Sequence, residues 1–427
     1  MPAKLELALC VSRGSFIDIF DIHTGVHLRH ITGNFGDVAI LHDSLLVCTE
    51  EKKNILSVYN YRFDRIKWKS SIPKETKLGP ICVSSTASSS SPSSKSTPCD
   101  PRFLFVGSAS GHIYCWCLLT GRLLSVFKAH LQAITALTMS KDGNLLISGS
   151  NDCLCKVWKL SSIIMNKQNM SNESSNSNVN GNNNNSGNGE QQICSIKEYI
   201  VWKEHILGIT DIFCANNERI FTASRDCTVK VYSLLSKELI SSITFPNAIT
   251  SIRVDPANIY LLVASNLGQL WRINLLNNPK FKANADIQHI QQTDDSTLLS
   301  DITYHQNTEN SSTESVGITG LDISYDGRLA VSTHSNGIAT TWDLKYGSKI
   351  SVFNKHRKRY DQTILVCDRL GAFASSEADV KYEKYSLLNK NFPIVCKRFF
   401  TLSGNEITPQ QQNLSNDNNG NSESKTE

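Results

Sequence analysis

An all-β ring built from seven copies of one four-stranded unit is the architecture this sequence predicts. Three observations lead there. Short stretches of alternating apolar and polar residues, divided by Gly, Asp and Asn turns, run along most of the chain. A large residue, usually aromatic, closes the third strand of each unit, at Phe20, Tyr59, Trp116, Trp158, Tyr232, Ile273 and Trp342. The intervals are 39, 57, 42, 74, 41 and 69 residues, and each long interval holds a low-complexity stretch. Setting aside 84–98, 166–199 and 279–308 reduces the long intervals to 42, 40 and 39. A period of 39–42 matches a four-stranded propeller blade, so seven registers make a seven-bladed β-propeller.

The units differ in how fully they show the pattern. The first, LELALCVS followed by FIDIF, begins at the second strand. Cys10 stands where later units have Ser or Thr, four before Gly14, and Phe20 follows six later. Too few residues precede it for an inner strand of about five residues. An open inner edge would leave backbone groups unpaired, and 363–367 (TILVC) is the candidate to fill it and clasp the two ends together. The competing arrangement is an eighth, partial blade from Ser375, Asp379 and Tyr385, which repeat the four-and-six spacing. The first three units and the sixth, ending at Phe20, Tyr59, Trp116 and Ile273, are degenerate. The fourth is the fullest, with Ala129-His130 ahead of ITALTMSKDGNLLISGSNDCLCKVWKL. The fifth has Glu204-His205 ahead of ITDIFCANNERIFTASRDCTVKVYSL, and the seventh reads ITGLDISYDGRLAVSTHSNGIATTWDL.

The chain is thus expected to divide into a propeller over 1–370, an extension over 371–403 packing on it, and a tail over 404–427. The insertions 84–98, 166–199 and 279–308 and the tail are polar and poor in apolar residues, the composition of disordered segments. As loops between strands they would leave the ring intact.

A net charge of +4 over 427 residues excludes a polycation, so any nucleic-acid contact would be a local patch. No apolar run approaches the roughly 20 residues of a membrane span. Glu6 falls where a signal peptide needs an apolar core, so a soluble intracellular chain without a membrane partner is expected. The thirteen cysteines include no C-x-x-C pair. Cys48, Cys115, Cys117, Cys153 and Cys155 lie within strand-like runs and read as small buried hydrophobes, reduced in cytosol or nucleus, rather than as zinc ligands.

Residues 5–370 resemble the WD-repeat propellers. In that family a histidine, a Ser or Thr, an Asp and a Trp form a hydrogen-bonded chain within a blade. The matching residues here are His130, Ser148, Asp152 and Trp158 in the fourth unit, and His205, Thr222, Asp226 and Tyr232 in the fifth. The seventh keeps Ser332, Asn336 and Trp342 but lacks the histidine. A role in stability follows, because a buried carboxylate needs donors and an imidazole N–H is one. A Ser-His-Asp catalytic reading fits worse, since the set recurs from blade to blade with its acid at a strand turn.

No phosphate-binding loop, dinucleotide fingerprint, H-E-x-x-H or G-x-S-x-G occurs, and acidic residues are scattered without a metal-ligand cluster. No enzyme activity, cofactor, metal or small-molecule substrate is expected. The Trp-Asp-x-Arg of ubiquitin-ligase receptors is met only by Trp342-Asp343-Leu344-Lys345, and the arginine pair of phosphoinositide-binding propellers is missing. Basic residues gather at Arg62, Arg65, Lys67 and Lys69, and again at Lys355, His356, Arg357, Lys358 and Arg359. The second run reads either as a solvated loop or as an import signal or phosphate contact with structured RNA.

Two stretches are more particular: SGSNDCLCKVWKLS at 148–161 and WKEHILGITDI at 202–212. With the order of features around them, they resemble the WD-repeat subunit of the fungal Rix complex, the PELP–TEX–WDR complex of animals. That resemblance implies a scaffold in late pre-60S ribosome assembly and in rRNA processing at the second internal transcribed spacer. Its implied partners are a Rix-type scaffold and the other subunits of that complex, a midasin-type AAA ATPase and the pre-60S particle. The implied place is the nucleus, nucleolus and nucleoplasm, with the cytoplasm as a second compartment. Animal members end in a helix with heptad-like spacing, which the polar 404–427 lacks. The alternative is a generic WD-repeat adaptor in signalling, trafficking or ubiquitin ligation, acting without RNA.

Overall fold

The computed structural model describes residues 5–42, 45–50, 54–61, 65–71, 77–85, 101–118, 121–164, 196–215, 218–275, 289–290, 296–301, 316–353 and 359–368. Blade 1 starts with β1 (Leu5–Ser12), β2 (Phe16–Asp21) and β3 (His27–Thr32). Blade 2 is β4 (Val38–His42), β5 (Leu45–Glu50), β6 (Ile55–Asn60) and β7 (Arg65–Ser71). Blade 3 is β8 (Leu78–Ser85), β9 (Pro101–Ser108), β10 (His112–Cys117) and β11 (Leu123–Lys128). Blade 4 is β12 (Ile134–Met139), β13 (Leu145–Ser150), β14 (Cys155–Lys159) and β15 (Ile200–Trp202). Blade 5 is β16 (Ile209–Cys214), β17 (Arg219–Ser224), β18 (Thr228–Ser233) and β19 (Leu239–Thr244). Blade 6 begins with β20 (Ile249–Val254), β21 (Tyr260–Ser265) and β22 (Gln269–Asn274). Between blades 6 and 7 in sequence lie β23 (His289–Ile290), which adds a parallel fifth strand to blade 5, and β24 (Ser296–Asp301), the outer strand of blade 6. Blade 7 is β25 (Ile318–Ile323), β26 (Leu329–His334), β27 (Ala339–Asp343) and β28 (Ser348–Phe353).

The last strand, β29 (Gln362–Asp368), pairs antiparallel with β1 as the innermost strand of blade 1, with Cys10 opposite Thr363. Seven sheets therefore surround one axis, and the chain's two ends share a blade. At the seam, Thr319 Oγ1 donates to the Tyr360 carbonyl at 2.6 Å, the bond that Thr135 Oγ1 makes to the Ile209 carbonyl between blades 4 and 5. Gly320 allows this approach, because a Cβ there would lie 2.7 Å from the Thr363 nitrogen.

Each register residue occupies one structural position, facing the second strand: Phe20 on Ala8, Tyr59 on Leu46, Trp116 on Leu104, Trp158 on Leu146, Tyr232 on Ile220, Ile273 on Leu261 and Trp342 on Ala330. The core is divided into seven apolar clusters, one in each gap between neighbouring blades. Leu7, Ile17 and Leu46 are fully buried between blades 1 and 2, and Cys10 and Val331 between blades 7 and 1. The second and third strands of a blade have both faces covered, so burial is nearly continuous, as in Phe16–Asp21, whereas the outer Ser348–Phe353 is mostly exposed. Across the inner strands, Arg253 reaches Asp211 at 2.8 Å and Asp322 at 3.4 Å, tying blades 5, 6 and 7 together.

Cys10, Cys48, Cys82, Cys115, Cys155 and Cys214 are buried without disulfides. Burial pushes the Cys82 and Cys115 thiols up to about 12, which suits packing rather than metal binding.

The insertion boundaries need correction. Residues 279–308 include β23 and β24, because Ser296–Asp301 (STLLSD) supplies the outer pairing that blade 6 would otherwise lack. The segment 166–199 ends earlier than expected: Glu198 binds Lys156 at 2.8 Å and Tyr199 packs under Lys159 and Lys237. Ser84 belongs to β8, where its hydroxyl accepts the Phe103 N–H at 2.8 Å. The extension 371–403, with Ser375, Asp379 and Tyr385, and the tail 404–427 lie outside the described residues.

Candidate functional site

Blade 4 brings its four predicted residues into one directed chain. Trp158 Nε1 donates to Ser148 Oγ at 2.9 Å, and Ser148 Oγ lies 2.7 Å from His130 Nε2. His130 Nδ1 is 3.0 Å from Asp152, whose oxygens also accept the backbone N–H groups of Leu131 and Leu154 at 3.1 Å. Blade 5 repeats the core of this, with His205 Nε2 at 2.7 Å from Thr222 Oγ1 and Nδ1 at 2.9 Å from Asp226. Its fourth member differs: the Tyr232 hydroxyl donates to Glu204 at 3.1 Å.

The electrostatics fit a structural network. Burial alone would raise the carboxyl of Asp152, yet the hydrogen bonds from His130, Leu154 and Leu131 hold it below the usual range. Asp226 is held low in the same way by His205, Thr228 and Ile206. Ser148 and Thr222 are fully buried, so neither oxygen can reach a substrate, and a nucleophile needs that access.

Other blades solve the same problem with residues that the repeat pattern did not single out. In blade 7, His334 at the end of β26 places Nε2 3.2 Å from Ser332 Oγ, which also accepts from Trp342 Nε1 at 2.9 Å. In blade 3, Ser108, Ser110 and His112 form a short relay at 3.0 and 2.9 Å. In blade 1, Asp18 is fully buried and accepts the Tyr360 hydroxyl at 2.8 Å, with His30 Nδ1 at 2.7 Å and His27 Nε2 at 3.1 Å. Asp18, His27 and His30 are an exception to the expectation of no metal-ligand cluster, since their donor atoms lie within 4.8 Å of one another. Their spacing gives no warning, because residues three apart on a regular strand point to opposite faces.

The tetrads also position a surface. The residue after each histidine has its N–H fixed by the aspartate while its side chain points outward. Leu131 is 79% and Ile206 82% exposed, with Leu207 beside them at 50%. The turn carrying Cys153 separates the two loops, its Sγ lying 3.3 Å from the Ile206 carbonyl. Of the predicted basic patch, Arg359 is exposed and pairs with Asp361 at 2.9 Å, while Lys355, Arg357 and Lys358 lie outside the described residues.

The WD domain, G-beta repeat family matches residues 121–159 and 196–233, the stretches that end in the two tetrad-bearing third strands. The fold is a seven-bladed WD-repeat β-propeller. The propeller's homologues are pre-rRNA-processing proteins of yeasts and WD repeat-containing protein 18 of vertebrates. It is 26% identical to the pre-rRNA-processing protein IPI3 of Scheffersomyces stipitis over 348 residues, 74% of this chain and 61% of that one. It is 24% identical to WD repeat-containing protein 18 of Mus musculus over 356 residues, 81% of this chain and 69% of that one. The pre-rRNA-processing protein crb3/ipi3 of Schizosaccharomyces pombe is 29% identical over 263 residues, 58% of this chain and 54% of its own length. The WD-repeat propeller thus spans about two thirds of the first two relatives' length.

Proposed function

We propose that this WD-repeat propeller is a non-enzymatic scaffold subunit in ribosome biogenesis. It acts in the nucleus on late pre-60S particles and supports processing at the second internal transcribed spacer. The reading is carried by the pairing of pre-rRNA-processing relatives with a surface suited to protein contact. Leu131, Ile206 and Leu207 are large apolar side chains held in water by buried tetrads beneath them. A folded chain gains little from that arrangement unless a partner covers it. The partners are a Rix-type scaffold, other subunits of the same complex and a midasin-type AAA ATPase. The modest charge of +4 places RNA contact second to protein contact.

Affinity purification of the tagged chain, followed by gradient sedimentation, tests this. Co-purification of large-subunit precursors, and accumulation of spacer-containing rRNA on depletion, are the expected results. A chain that sediments free of precursors, with rRNA maturation unchanged on depletion, overturns it and leaves the adaptor reading.

A further inference from the structure

Blade 1 shares with most blades a bulge between its third and fourth strands, but it alone has a carboxylate two before the register residue. The position two before the register residue is Asp18 there, and Ser57, Tyr114, Lys156, Lys230, Trp271 and Thr340 elsewhere. The carboxylate is therefore not part of the repeat's common hydrogen-bonding scheme. Asp18 faces His30 directly across β2 and β3. His27 reaches the same face through a β-bulge: Ile19 pairs with Arg29 but Phe20 pairs with His27, so Leu28 is the extra residue and the alternation shifts by one. Phe16 packs on His30 and Phe20 on His27, with ring centroids 5.0 and 5.1 Å apart, which fixes both imidazoles.

We propose that Asp18, His27 and His30 form a binding site for a divalent transition-metal ion, zinc by its donor set. The chemistry of the three groups fits. One carboxylate and two imidazoles are the ligands of three-protein-ligand zinc sites, where water takes the fourth place. Bonds of about 2.0–2.1 Å put tetrahedral ligand atoms about 3.3 Å apart. His27 Nε2 is already 3.1 Å from Asp18 Oδ1, and His30 Nδ1, at 2.7 Å, must open by a few tenths of an ångström more. The second carboxylate oxygen is held by the Tyr360 hydroxyl at 2.8 Å, the outer-sphere contact that orients a ligating carboxylate. Both imidazoles keep a solvent-facing edge, with 20% and 30% of their side chains exposed, which provides an entry path and room for the water. Binding through these nitrogens places each imidazole's proton on its other ring nitrogen and couples the ion to ring closure, since Tyr360 leads directly into β29.

Cobalt titration of the full-length, chelator-treated protein tests this. One equivalent should produce a visible d–d spectrum of four- or five-coordinate cobalt without the near-ultraviolet band of a thiolate ligand. His27→Gln and His30→Gln should each weaken binding at least tenfold, and Tyr360→Phe roughly tenfold. If the glutamine variants do not fold, zinc-edge absorption of the wild-type protein must show nitrogen and oxygen neighbours with imidazole scattering. No band at one equivalent, a thiolate band, a spectrum unchanged in the His27→Gln, His30→Gln double variant, or sulfur neighbours at the zinc edge overturns the site.

Discussion

The hydroxyl of Tyr360 donates to Oδ2 of Asp18 at 2.8 Å, joining the two ends of the propeller across 342 positions of sequence. Both residues are fully buried, and between them the ring closes. Removing the clasp should therefore be far worse than removing a surface strand. A chain ending at Asp361 loses β29, leaving the inner edge of β1 without backbone partners and the Thr333 hydroxyl without Thr363, 2.6 Å away. The expected outcome is loss of soluble folding. Cooperative melting at the full-length temperature would show that the clasp is dispensable. Tyr360→Phe is the milder version: it keeps the ring but deprives a buried carboxylate of a donor, costing about 1–3 kcal/mol, readable in urea unfolding.

The tetrads are expected to act on stability. Asp152→Ala strands His130 Nδ1 and the N–H groups of Leu131 and Leu154, and Asp226→Ala does the same to His205 and Ile206. Each should cost about 1–3 kcal/mol. Both carboxyls are held below their ordinary range in the fold, so their contribution is present above the unfolded value of 3.8 and fades as pH falls below it. Thermal melts at pH 7 should separate both variants from wild type. An unaltered melt would mean that the network contributes nothing.

His334 should set the acid limit of blade 7. Burial, with Lys349 nearby, brings its imidazole down from 6.5 to about 4. The unfolded chain then binds more protons than the folded one between those values, so stability rises with pH there and falls as pH drops from 6.5 toward 4. At about 1.4 kcal/mol per unit, the loss is on the order of 2–4 kcal/mol. His334→Asn should flatten that part of the stability–pH curve. Parallel curves for variant and wild type would assign the acid sensitivity elsewhere.

How much of this was legible depended on periodicity. The seven register residues were readable because a strand's alternation and a blade's length survive substitution, so even Ile273 stands where the aromatics do. The clasp was readable because Cys10 falls at the second-strand position and leaves an inner place to fill. His334 was not, since it takes up the role of a loop histidine from the end of a strand. The Asp18–His27–His30 cluster was hidden by a bulge, which changes which side chains share a face without changing composition. Ser296–Asp301 was missed because it is short and embedded in polar sequence, and only the vacant outer edge of blade 6 identifies it.

The exposed apolar patch of Leu131, Ile206 and Leu207 should behave as a contact rather than as core. Leu131 and Ile206 make their fixed bonds through backbone N–H groups, so replacing either side chain leaves the tetrads whole. Their exposures of 79% and 82% mean that little packing is lost, and surface substitutions of this kind usually stay within about 0.5 kcal/mol. A charge in the middle of a contact patch is different, because it must be desolvated against an apolar partner surface. Leu131→Asp combined with Ile206→Asp should therefore melt within a few degrees of wild type yet lose co-purifying partners by tenfold or more. Leu235→Asp, another 79% exposed leucine in the tight turn between β18 and β19 of blade 5, serves as the control and should retain them. Equal partner recovery from the double variant and the control would move the interaction surface elsewhere on the ring.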